Sequence, residues 1–302
     1  MSSHTTDAAA VAMPAPRRAI ERYLPVLFVA PLALVMLAMF VWPLLESVVN
    51  SFHPHTPGGV GRSEWTLANY AKLVDTYYLG VLWRTFRISA ITALVTAVLA
   101  FPMAWYISEL RPRAQTYWLL LFVTPWMVNV AVKAFGWSLI LGVNGMINRA
   151  LRELGLIESP MRLMFNELGI VIGLVHGHFM FVLLPLWAAL ANFDRTLIWA
   201  ASNLGATSWQ VFTRVVLPLT LPALMAGMII NFTMNMTAFA TPALLGGSRA
   251  RVMSYLAYEV NLVDLNWPLG AAMAMLLLII TLACIVAGQQ VTVSGRRKVV
   301  SS

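Results

Sequence analysis

Leu269-Gly-Ala-Ala-Met-Ala-Met-Leu-Leu-Leu-Ile-Ile-Thr-Leu-Ala-Cys-Ile-Val-Ala-Gly-Gln289 contains no charged residue. A helix rising 1.5 Å per residue needs about 20 apolar residues to cross the ~30 Å hydrocarbon core of a bilayer, and this run has that length. Moving outward from it, similar runs occupy 24–49, 86–107, 117–141, 169–191 and 219–245. In lipid the backbone must satisfy its own hydrogen bonds, so each run is expected to be helical. The expected fold is an all-α membrane protein of about six spans. Prolines fall inside the runs (Pro31, Pro43, Pro102, Pro125, Pro185 and Pro242), where a bundle tolerates kinks because neighbouring helices satisfy the freed carbonyls.

Composition agrees. The 302 residues are 60% hydrophobic and 11% charged, whereas a soluble domain carries roughly 25% charged residues. The net charge of +8 does not indicate nucleic acid. The basic residues lie singly or in pairs beside apolar runs, not in a stripe interleaved with aromatics. Residues 1–20 read as a disordered cytoplasmic tail, 21–290 as the six-span domain, and 291–302 as a basic cytoplasmic tail. Six crossings place both termini on one side. Basic residues divide almost evenly between the two sides, but Arg111 and Arg113 crowd a very short connection and favour cytoplasmic termini. Cys284 excludes an intrachain disulfide and reads as a small buried hydrophobe.

The longest connection predicted on the cytoplasmic side, 194–218, reads as two short helices and a turn. Asp194 is placed to cap the first helix, Gly205 to end it in a left-handed conformation, and Thr207 or Ser208 to cap the second. Trp209, Phe212, Val215 and Val216 share a face, and Pro218 closes the unit at the next span. From physics alone such a pair is a docking element or an interfacial anchor.

The spacing Ala200-Ala201, three residues, Gly205, nine residues, Val215, one residue, Leu217-Pro218 resembles the loop motif of binding-protein-dependent ABC importer permeases. The resemblance implies a type I permease bundle. Its coupling helix, carried by Trp199, Ala200, Ala201, Gly205, Trp209, Phe212, Val215, Leu217 and Pro218, docks in a groove of the ATPase. In one departure, Trp199 stands where the family usually has glutamate. Leu67-Ala-Asn-Tyr70, 154–165, Leu245-Gly-Gly-Ser-Arg249 and Asn266-Trp-Pro-Leu-Gly-Ala-Ala272 resemble the first permease subunit of spermidine/putrescine importers, relatives of permeases for opines and aminophosphonates. The implied partners are an ABC ATPase dimer, a second permease chain forming a heterodimer, a periplasmic solute-binding protein and the bacterial inner membrane. None of Lys72, Lys133 and Lys298 follows a glycine, so a phosphate-binding P-loop is absent. ATP and Mg are expected in the partner ATPase, and no cofactor or catalytic residue in this chain.

Ionisable groups within spans are costly and default to functional roles. Asn129, Lys133 and Trp137 share a helical face near Trp126. Either this face lines the translocation path, or Lys133 snorkels or pairs with a neighbouring subunit. Asn231 and Asn235, four apart, contact solute or join helices. Thr241 is a further path candidate. His176 and His178 point to different sides of a helix and lack a third ligand, so no metal site is expected. A secondary transporter is the alternative class, but it would show an internal repeat, and none is evident.

Overall fold

The computed structural model describes the backbone of residues 15–56, 59–60 and 64–300, and the side chains of 28–56 and 64–290. Residues 1–14, most of the expected N-terminal tail, lie outside the described residues. So do the side chains of the basic 291–302 tail.

Two units are distinguished, 1–49 and 50–302. The first is dominated by α1 (Ala15–Ser51), which therefore begins inside the stretch expected as tail. Phe28–Ser51 has a mean hydropathy of 2.3, enough for one crossing.

The second unit opens with a minimal hairpin, β1 (His55–Thr56) against β2 (Gly59–Val60). The rest is helical: α2 (Ala68–Leu73), α3 (Thr76–Glu109), α4 (Pro112–Met127), α5 (Val130–Leu141), α6 (Met146–Glu153), α7 (Glu167–His178), α8 (Met180–Ala191), α9 (Thr196–Asn203), α10 (Ser208–Val211), α11 (Leu217–Thr237), α12 (Ala240–Gly246), α13 (Met253–Leu262) and α14 (Trp267–Val300). By length and composition five stretches are fit to cross a bilayer, and the bent pair α7–α8 makes a sixth. The apolar runs thus located spans, but three of them are not single helices. The run 117–141 divides at Val128–Asn129, 169–191 bends by 46° between α7 and α8, and 219–245 divides at Ala238–Phe239.

Small residues let the helices approach closely, the main route to packing in lipid. Ala97, Ala100 and Ala104 of α3 lie buried against Val182, Leu183 and Leu186 of α8, with Leu224 of α11 completing the cluster. A second cluster joins Met253, Leu256 and Val260 of α13 to Leu269, Met273 and Leu277 of α14. Three of the buried hydroxyls on α3 are satisfied, while that of Thr92 has no hydrogen-bond partner among the described residues. Ser89 and Thr96 donate to carbonyls one turn back, and Thr85 does so while accepting from Met253 N at 2.8 Å, which fixes the start of α13. The 142–168 segment is held by buried Asn148, whose Nδ2 donates to Gly142 O and Met161 O and whose Oδ1 accepts from Met161 N.

A Cβ on Gly227 of α11 would stand 2.9 Å from Val182 Cα of α8. Gly227→Val is expected to destabilise the protein by about 1–3 kcal/mol through overpacking. Gly80→Ala, with open space around it, is the control. Equal melting temperatures for the two variants in detergent would contradict this helix contact.

Candidate functional site: a broken-helix cavity and a connecting loop

The loop 194–218 folds as two helical pieces. Asp194 Oδ1 accepts from Thr196 N at 2.9 Å and from its hydroxyl at 2.8 Å. The Thr196 hydroxyl and then its N–H hold this carboxyl below its ordinary pKa, so the cap persists at neutral pH. Gly205 takes φ = +82°, the left-handed conformation expected of it. Thr207, rather than Ser208, caps α10, in a reciprocal pair with Gln210.

Pro218 does not close the unit. Residues 208–237 run on as one helical stretch, with a π-helical turn at Phe212–Val216. The physical reason is local. Proline has no N–H for the carbonyl four residues back, and the widened turn instead pairs Leu217 N with Phe212 O. Phe212 is half-buried and meets Phe101 of α3 edge-on at 5.2 Å, while Trp209 stacks on Phe212 at 5.6 Å. Val215, Leu217, Pro218 and Ala201 are half-buried and Ala200 is exposed. Trp199, Leu204 and Trp209 are 66%, 89% and 71% exposed, so the loop presents large apolar side chains outward. Arg195 ties α9 to the end of α3, contacting Glu109 at 3.0 Å, Ser108 Oγ at 2.9 Å and the face of Trp105.

A second site lies within the bundle. Trp126, Lys133 and Trp137, with Thr241 from α12, line a cavity of about 230 Å3 whose other walls include Val128, Val130, Gly173, Gly177 and His178. The sequence reading had grouped these four, but it also included Asn129, Asn231 and Asn235, which do not line the cavity. Asn129 caps α5, its Oδ1 accepting from Ala131 N at 2.8 Å. Asn231 and Asn235 are buried in a closed hydrogen-bond ring. His178 Nδ1 pairs with Asn235 Oδ1 at 2.7 Å, Asn235 Nδ2 donates to Asn231 Oδ1 at 2.7 Å, and Asn231 Nδ2 donates to His178 O at 3.0 Å. The two asparagines therefore join α11 to the bend between α7 and α8.

Sequence reasoning weighed His176 and His178 only as metal ligands. Among the described residues there is no grouping of three or more His, Cys, Asp or Glu fit to hold a metal ion. Their roles are positional. His176 Nδ1 accepts from Trp137 Nε1 at 3.2 Å and its ring meets Trp137 edge-on, and His178 closes the asparagine ring. The 3–4 spacing of Asn129, Lys133 and Trp137 puts Trp137 on the Lys133 face, but nothing in the linear order paired it with a histidine on another helix.

Beyond the far ends of α5 and α12, a wider cavity of about 860 Å3 is lined by residues including Gly142, Arg162, Asn166, Glu167, Ser248 and Arg249. Glu167 is held by Arg87 at 2.6 Å and Arg84 at 3.4 Å.

A family model described as "Binding-protein-dependent transport system inner membrane component" matches residues 8–299. The chain belongs to this family. The permease is 31% identical over 245 residues to the spermidine/putrescine transport system permease protein PotB of Escherichia coli (strain K12), covering 81% of this chain and 89% of that one. It is 32% identical over 209 residues to PotB of Haemophilus influenzae, covering 69% and 73%. Its fold matches a bacterial ABC transporter involved in import of the acidic polysaccharide alginate, with a TM-score of 0.75 at 15% identity over 92% of this permease and 98% of that chain.

Asn231→Ala removes two of the three hydrogen bonds of the asparagine ring. It is expected to cost about 0.6–1.7 kcal/mol, the span measured for interhelical hydrogen bonds in lipid. Thermal unfolding in detergent checks this, and an unshifted transition would show that the ring does not join the helices.

Proposed function

We propose that this permease is one of two different membrane subunits of an ATP-driven importer in the bacterial inner membrane, with both termini cytoplasmic. It takes a small amine-bearing solute from a periplasmic binding protein, and spermidine and putrescine, named for its relatives, are the first solutes to test. The observation that carries the reading is the continuity of the helical stretch 208–237. One end of it carries exposed Trp209 beside Trp199 and Leu204. The other carries Asn231 and Asn235, bonded to the wall of the Lys133 cavity.

On this reading the ATPase dimer grips Trp199, Leu204 and Trp209, and ATP-driven closure moves the 194–218 unit. The stretch 208–237 carries that displacement to the α7–α8 bend, and the cavity changes the side it opens to. The chain itself hydrolyses nothing. ATP and Mg belong to the ATPase, and the loaded binding protein docks on the outer segments 51–83, 142–168 and 246–268. Both ligands act by favouring one of two bundle states. Trp199, in place of the glutamate usual in the family, makes the grip more apolar.

The reading is tested on the complete complex in lipid. ATPase activity is expected to rise when the binding protein is added with spermidine or putrescine, and absence of a co-purifying ATPase would refute the reading. Gly205→Val places a β-branched residue at φ = +82°, strained whatever the space around it. It is expected to leave the complex assembled and to lower uptake more than tenfold relative to ATP hydrolysis. Normal uptake would remove the coupling role from this loop.

A further inference from the structure

The two cavities are bordered by residues on or at the ends of the same three helices. The smaller is lined by Lys133 and Trp137 of α5, Gly173 and His178 of α7, and Thr241 of α12. The larger is lined by Gly142 just after α5, Glu167 at the start of α7, and Gly247 just after α12. Lys133 and Gly142 are separated by about 14 Å at helical rise. The two cavities are thus successive stations along one seam formed by α5, α7 and α12.

Both stations are electropositive. Arg162 and Arg249 line the outer one, and Lys133 the inner one. Glu167 is the only acid among the residues lining either cavity, and Arg84 and Arg87 both engage it. Among the described residues no carboxylate pairs with Lys133. A charge left within a span is expensive unless something compensates it. The electrostatics of this seam repel a bare polycation and draw an anionic group inward.

The inner station also has a second recognition element. Trp126 is held edge-on to Phe181 at 5.9 Å, and Trp137 by its hydrogen bond to His176. Fixed indole faces bind ammonium groups by cation–π attraction. Lys133 for an anion and two tryptophans for an ammonium fit a solute that carries both.

Resting on the importer reading above, we propose that the solute is zwitterionic: a small amine that also bears a carboxylate or phosphonate, with the acidic group on Lys133 and the ammonium against Trp126 and Trp137. Arg162 and Arg249 collect the acidic group at the outer station.

The test uses cells in which the complete importer is the sole route, with uptake of radiolabelled spermidine, γ-aminobutyrate and 2-aminoethylphosphonate compared per assembled complex. Assembly is judged by co-purification of the ATPase. A zwitterion is expected to enter, with uptake falling at least tenfold in Lys133→Met and largely kept in Lys133→Arg. Arg249→Gln is expected to raise the half-saturating concentration severalfold, and its side chain is exposed, so the substitution leaves the packing intact. Entry of spermidine but neither zwitterion overturns the inference and leaves the importer reading intact. So does zwitterion uptake that Lys133→Met leaves unchanged. Lack of uptake of all three overturns it as well. The importer reading is judged separately, by whether an ATPase co-purifies and responds to the binding protein.

Discussion

A backbone inside a bilayer cannot leave its amides and carbonyls to lipid, and this constraint organises the permease. Non-helical backbone is tolerated at that depth only where protein encloses it or a polar cavity abuts it. Val128 and His178, at the first break and the α7–α8 bend, line one small cavity with Thr241, which follows the third break at Ala238–Phe239 by two residues. Each break also has a side-chain partner. Asn129 Oδ1 takes the amide of Ala131, Asn231 Nδ2 supplies the carbonyl of His178, and Ser254 Oγ donates to Ala238 O at 2.6 Å.

The wall of this cavity is joined to the loop through the stretch 208–237. The stretch 208–237 passes through Pro218 without stopping because the π turn at Phe212–Val216 absorbs the missing amide. Phe212 anchors this turn to Phe101, and Arg195 anchors α9 to Glu109 and Trp105. The 194–218 unit is therefore attached both to α3 and to α11, and α3 and α11 each pack on α8. A displacement at Trp209 enters a packed structure with few soft joints before it reaches Asn235.

The polar residues of the spans divide by their partners. The asparagines and His178 complete one another and act as helix contacts, and the hydroxyls of Thr85, Ser89 and Thr96 bond back to their own helix. Lys133 differs, since its ammonium faces the cavity without a carboxylate.

The sequence by itself determined the class. Uninterrupted apolar runs with few charges admit only membrane helices, and Asp194, Gly205 and the Thr207 cap act through contacts within a few residues, so the loop's local form was legible. Trp126, Lys133 and Trp137 are carried by one stretch, and they line one cavity. Tertiary structure alone decided which spans break, that Pro218 lies within a continuing helix, that Asn231 and Asn235 face His178 and not the cavity, and that His176 holds Trp137. Apolar periodicity measures the cost of exposure to water. It is blind to a break whose freed amide finds a partner on a distant helix, and to hydrogen bonds between residues more than 50 positions apart, such as His178 and Asn235.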